Sequence, residues 1–185
     1  MHTIAHPCGD VKALMLRAAI VLNGDHVNRP EERIMAQIIE TIDVDVPVSV
    51  AYNQWTQFES FPEFLDEVVS LTQVSDTLTR WKVNVGGAER EFDAEITEQH
   101  PDERVAWTST GGETEHAGAV TFHKLTDSST RVTVQLDWEP KGLLESIGAV
   151  VGAGSHAVKK DLKNFKEFIE RRGSESGAWR GDIDA

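Results

Sequence analysis

The chain predicts an α+β domain: a seven-stranded curved antiparallel sheet wrapped on one long C-terminal helix, with two short helices after the first strand. Three observations predict it. Six short alternating segments follow one another between residues 68 and 138. The segment 143–172 that follows carries apolar residues at 144, 147, 151, 158, 162, 165 and 169, a stripe of helical spacing. Ahead of the block, 38–46 alternates until Pro47 and makes the seventh strand.

Residues 48–57 have helical composition, with Tyr52 and Trp55 at i, i+3, and 59–65, which contains Pro62, reads as the second short helix. Strands are expected at 68–74, 78–85, 90–98, 104–110, 116–125 and 131–138. Between them stand Ser75-Asp76, Gly86-Gly87, Pro101-Asp102, Gly111-Gly112 and Asp127-Ser128, all of them turn residues. Connections this short join antiparallel neighbours. Pro140 and Gly142 end the last strand; Arg171 and Arg172 suit the negative end of the helix dipole, and Gly173 can cap it. One sheet face must be buried, and the C-terminal helix is the only large element able to bury it.

The 185 residues suffice for one domain with a sizeable core. A net charge of −13 argues against binding nucleic acid or an anionic membrane by bulk attraction. The apolar stretch 13–22 is interrupted by Arg17 and is too short to span a bilayer, so no stable membrane insertion is expected. Cys8 is the only cysteine, which excludes an internal disulfide and fits a reduced, cytoplasmic setting. Residues 1–35 read as an N-terminal extension, 36–172 as the domain and 173–185 as a flexible tail. Residues 1–34 hold four basic and four acidic groups, so the whole net charge lies beyond them. Two readings of that segment stay open: a disordered arm, or a leader ahead of synthesis that starts at Met35. His2, His6 and Cys8 are set too loosely for a folded metal site, and no metal-ligand spacing occurs in 35–185; no metal and no cofactor is expected.

Several motifs resemble the START-like SRPBCC superfamily, in particular its polyketide cyclase/dehydrase and coenzyme Q-binding START-like members. They are Val44-Asp45-Val46-Pro47-Val48-Ser49, Trp55-Thr56-Gln57-Phe58-Glu59-Ser60-Phe61-Pro62, Pro101-Asp102 before Arg104-Val105-Ala106-Trp107, Gly118-Ala119-Val120-Thr121-Phe122, Trp138-Glu139-Pro140-Lys141-Gly142, and Asp161-Leu162 with the run from Phe165 to Glu170. The resemblance covers about residues 36–172 and implies the helix-grip fold. Its members include lipid carriers, coenzyme Q-binding proteins and aromatase/cyclases, so fold alone does not select a function.

Strand parity places Trp81, Val83, Val85, Phe92, Ala94, Ile96, Val105, Trp107, Ser109, Gly118, Val120, Phe122, Val132, Val134, Leu136 and Trp138 on the inner face. Small residues in the first half of the long helix (Gly148, Gly152, Ala153, Gly154, Ser155) would leave a hollow beneath them. The expected ligand lining is therefore Trp81, Val83, Phe92, Ala94, Trp107, Ser109, Val120, Trp138, Ile147 and Val151. The plainer reading of these residues is packed core. The titratable inward groups lie at strand ends: Arg90, Glu98 and His116. Arg90 and His116, expected about 10 Å apart from two strand spacings, would form a polar rim, to which Tyr52 could add a hydroxyl. Arg90 equally suits a solvated strand end paired with Glu113 or Glu115. The lysines at 159, 160, 163 and 166 read as a solvated face or a contact for an acidic partner.

Three functions follow. One is a binder of a hydrophobic small molecule: a lipid, quinone or polyketide-like compound. The second is a cyclase/dehydratase with His116 as base and Arg90 as oxyanion partner, the weak point being an interior without acid or base. The third is a protein-interaction module, for which no partner is indicated.

Overall fold

The computed structural model describes residues 36–85, 87–111, 116–138 and 147–184; the side chains of Val85, Trp138 and residues 147–151 fall outside that description. Strand β1 (Ala36–Val44) leads through α1 (Val48–Trp55) and a 3₁₀ helix (Phe58–Glu63) into β2 (Val68–Gln73), β3 (Leu78–Val85), β4 (Ala88–His100), β5 (Arg104–Ser109), β6 (His116–Thr126) and β7 (Ser129–Trp138). The long helix α2 (Ile147–Arg172) follows, then a two-residue strand β8 (Ile183–Asp184). The sheet order is β1-β7-β6-β5-β4-β3-β2, with β8 on β4, and every pairing is antiparallel. This is the helix-grip fold, with eight strands where the sequence predicts seven. The eighth escapes prediction because two residues carry no readable alternation. The expected extension at 1–35, the turn residues Gly86 and Gly112 and the helix start at 143–146 lie outside the described residues.

Parity holds along the inner face. Ala94, Ile96, Val105, Val120, Phe122, Val132 and Val134 are buried, while Arg80, Glu95 and His123 point outward into solvent. The second half of α2 completes the core with Leu162, Phe165, Phe168 and Ile169. Helix α1 starts at Pro47, whose carbonyl accepts the N–H groups of Val50 and Ala51, and buries Ala51, Tyr52 and Trp55. The helix ends where Gly173 takes φ +71° and donates its N–H to the Ile169 carbonyl, the capping role expected of that glycine.

Two local features depart from the sequence reading. A bulge between Ile96 and Glu98 shifts the register against β5. Beyond it Gln99 is the inward residue, 1% exposed, while Glu98 sits half-exposed in an ion pair with Arg104. The second departure is the tail. Through residue 184 it is strapped along α1 by contacts that the sequence does not announce. The Ser176 N–H and hydroxyl donate to Gln54 Oε1, Asn53 Nδ2 donates to Glu175, and the Trp179 N–H reaches Thr56 Oγ1. Arg180 forms a two-pronged pair with Asp102 (2.9 and 2.8 Å) and lies over the Tyr52 ring. The His100 ring nitrogens face Asp182 and Asp184 at 2.8 and 3.2 Å, bringing together a carboxylate–imidazole cluster that sequence spacing does not reveal. The strap has no apolar periodicity. What it supplies is polar partners for Asn53, Gln54 and Thr56, all buried on α1.

Candidate functional site

The inner face is not uniform. Toward α1 it is sealed. Toward the His116 end it carries four rings in sequence: Trp107, Trp81, Phe92 and His116. Trp81 stacks on Trp107 (6.3 Å between centroids, 23°) and on Phe92 (5.8 Å, 12°), and His116 meets Phe92 edge-on at 4.6 Å. All four are half-buried. The register explains the grouping: Trp81 pairs with Phe92, and Ile96, Trp107, Gly118, Leu136 and Ile38 form one row across five strands. Trp107 lies flat because its neighbour is Gly118. A Cβ at that position would stand 2.2 Å from Trp107 Cζ2. The Trp81 indole N–H donates to Thr79 Oγ1, which in turn donates to the Ala94 carbonyl, so the ring is held in place and its polar atom satisfied.

Beneath the rings, Trp55, Phe58, Phe61, Thr79, Trp81, Ile96, Val105 and Trp107 enclose a cavity of about 10 Å³. That is the lower limit for a single water.

Of the expected lining, Trp81, Val83, Phe92, Trp107 and Ser109 gather on this half-open face, whereas Ala94 and Val120 are fully buried in the core behind it. The side chains of Trp138, Ile147 and Val151 lie outside the described residues. Gly154 packs tightly: a Cβ there would come within 2.6 Å of Ile38 Cδ1, so this small residue serves close helix–sheet approach. Gly152 has open space around it.

His116 is anchored by its backbone N–H, which donates to Ser109 Oγ at 3.0 Å. Burial pushes its imidazole below the ordinary range, so the ring is neutral at neutral pH. Ala94 pairs with Ser109, and Arg90 lies four residues further along β4, an offset of roughly 13 Å along the strand before any sideways separation. The expected 10 Å counted strand spacings and missed this overshoot of β4 beyond β5. Arg90 is exposed; its suggested partners Glu113 and Glu115 lie outside the described residues. Tyr52 is not at the rim. It is fully buried, edge-on to Phe122 at 5.6 Å, and burial raises the pKa of its hydroxyl, with a smaller opposing influence from Gln99. Neither the Tyr52 hydroxyl nor Gln99 Oε1 makes a hydrogen bond with a described residue.

One inward group escaped the sequence reading. Glu40 shares the parity of Ala36, Ile38, Ile42 and Val44 on β1, and its row continues through Val134, Val120 and Val105. Its side chain is 14% exposed. The Ser155 hydroxyl donates to Glu40 Oε1, and Lys159 Nζ stands 3.5 Å from the same oxygen. Parity applied to β1 as it was to the later strands would have found it. Glu40 also lines a groove of about 460 Å³ between β1 and α2, with Ile42, His156, Lys159, Leu162 and Lys163.

Residues 44–167 match the family described as polyketide cyclase / dehydrase and lipid transport. An uncharacterized 17.2 kDa protein of Streptomyces lincolnensis is 54% identical over 149 residues, 80% of this chain and 99% of the relative. The chain belongs to this family. Among solved structures, the Zhui aromatase/cyclase from Streptomyces sp. R1128 superposes with a TM-score of 0.67 at 12% identity, covering 79% of this chain and 100% of the other. A START superfamily protein from Mycobacterium smegmatis gives 0.64 at 15%, covering 72% and 98%. At these identities the two structures establish the fold. Among the described residues no helix is long and apolar enough to cross a membrane.

Proposed function

We propose that the protein binds a hydrophobic small molecule with a planar ring system, of quinone or polyketide-like character, on the Trp107–Trp81–Phe92–His116 face. One observation carries this reading. These rings are nearly parallel along Trp107, Trp81 and Phe92 and keep part of their surface open, while the inner face toward α1 is closed. A flat ligand gains area and stacking there without displacing packed core. Val83 and Ser109 extend the contact, and Ala94 and Val120 back it from below. Covering about 300 Å² of apolar surface is worth roughly 7 kcal/mol gross at 25 cal/mol/Å². Association costs reduce that to micromolar affinity. Family membership supports a role in binding or cyclising such a molecule.

Native mass spectrometry of gently purified protein, followed by organic extraction, identifies the bound compound. A titration with 2-methyl-1,4-naphthoquinone, followed by tryptophan quenching, tests the site. Trp81→Ala and Trp107→Ala should each weaken binding by about tenfold, the scale of one lost ring contact. Unchanged affinity in both variants rejects the reading.

A cyclase/dehydratase role is the second reading, favoured by the neutral imidazole of His116 at the end of the ring series. A neutral imidazole can take a proton from a carbon between two carbonyls. His116→Gln should then abolish turnover of a poly-keto thioester while sparing naphthoquinone binding. Turnover intact in that variant rejects the assignment.

A further inference from the structure

We propose that the groove between β1 and α2 is a second ligand site, separate from the aromatic face, that takes a single-chain amphiphile with a carboxylate head. The groove, about 460 Å³, falls within the usual size of ligand sites. Its floor is apolar: Ile42 and Leu162, extended by lysine stems. Its rim is cationic in a chain of net charge −13.

The charges there are only partly answered by the protein. Lys160 is held by Asp66 at 2.5 Å, and Lys159 faces Glu40 at 3.5 Å. Glu40 is itself committed, accepting from Ser155 and set on a core-facing position of β1. Lys163 and His156 also line the groove, and neither makes an ion pair or hydrogen bond with any described residue. A carboxylate seated between them would complete the set, and it would meet a positive rim rather than the acidic surface elsewhere.

The edge of β1 adds a donor. The Asp43 carbonyl accepts from Lys166 Nζ at 2.6 Å, and the Asp45 N–H donates to Glu170 at 2.7 Å, so alternate backbone groups on this strand face α2 instead of β7. By the same alternation the N–H of Thr41, a groove residue, faces that side. Thr41 and Thr133 confirm the phase: their hydroxyl oxygens are 3.0 Å apart, as expected where side chains approach across a non-hydrogen-bonded pair. The groove thus offers an apolar floor, a lysine ammonium at Lys163 and an imidazole at His156 that no described residue engages, and a backbone N–H.

Dodecanoate below its micellar concentration, titrated into the full chain labelled with ¹⁵N, tests the site. The expected result is saturable one-to-one binding that shifts the amide signals of Thr41, Ile42 and residues 156–163 while leaving the indole signals of Trp81 and Trp107 in place. Lys163→Glu should weaken it by about tenfold, the scale of one charge-assisted contact. Dodecyltrimethylammonium should not compete. Absence of saturable binding, equal binding of the cationic amphiphile, or an unchanged affinity in Lys163→Glu overturns the proposal. Shifts confined to the Trp81 and Trp107 indoles also overturn it and assign dodecanoate to the aromatic face, so failure here is distinct from failure of that site.

Discussion

Two aromatic regions share one sheet face and behave differently. Around α1, Tyr52, Trp55, Phe58, Phe61, Phe64, Phe122, Phe165 and Phe168 are each no more than 6% exposed. Most of their ring pairs there meet edge-on, as Trp55 does with Phe165 at 5.0 Å and 76°. Near His116, the rings of Trp107, Trp81 and Phe92 run nearly parallel and stay half-buried. Edge-on rings interlock in three dimensions and leave no flat surface, whereas parallel rings present a face. The first region is covered by α1, the 3₁₀ helix and the bulky half of α2. The two regions thus differ in cover rather than in residue type.

The sharpest way to break this comparison is to truncate one ring in each region. Phe165→Ala should cost about 3–5 kcal/mol of unfolding free energy, read by denaturant titration, because a fully buried ring leaves a cavity that cannot collapse. Trp81→Ala, half-exposed, should cost about 1–2 kcal/mol and act mainly on ligand binding. Equal losses in the two variants would mean that the aromatic face is ordinary core. Gly118→Ala comes next. The new methyl must push the Trp107 ring aside, at about 1–3 kcal/mol, and the near-ultraviolet circular dichroism of the stacked tryptophans should change with it. A spectrum identical to that of the parent would show that the flat seating of Trp107 does not depend on the glycine.

The smallest effect is on pH dependence, and the two regions have opposite signs. Asp161 on α2 is pushed up to about 6, first by burial and then by the charges of Asp66 and Glu67, against the N–H of Asp66 and the charge of Lys160. The folded state then binds a proton between about 6 and the ordinary carboxylate range, so this group adds stability as pH falls through that window. Solvent screening of a part-exposed carboxylate limits the gain to about 1–2 kcal/mol. His116 is held below its ordinary value, so the unfolded chain takes up its proton first, and stability is lost as pH falls below about 6.5. Denaturant midpoints between pH 7 and 4 should lose their acid-side gain in Asp161→Asn and their acid-side loss in His116→Gln. Parallel pH profiles for parent and variants would contradict both assignments.

Much of the architecture is legible in the residues themselves. Alternation, turn residues and the helical stripe of α2 place every element from β1 to α2 within a few positions, and parity on five strands sorts inner from outer side chains. Those are local signals, because side-chain direction in a strand repeats every two residues whatever the partner. The ring series was legible as a list of inward residues but not as a stack, since stacking depends on cross-strand register. Glu40 was legible too, by parity between Ile38 and Ile42.

The sequence by itself determined the fold class, the strand faces, the apolar character of the interior and the cap at Gly173. Tertiary structure alone decided the rest. The bulge at Ile96 and Glu98 turned Gln99 inward, and β4 runs on past its pairing with β5 toward Arg90. Packing of α1 buried Tyr52 away from the rim, and the strap found its partners on α1 through polar contacts without periodicity. Each of these depends on which residues lie opposite one another across strands and helices far apart in the chain. A repeating local pattern carries no record of that alignment.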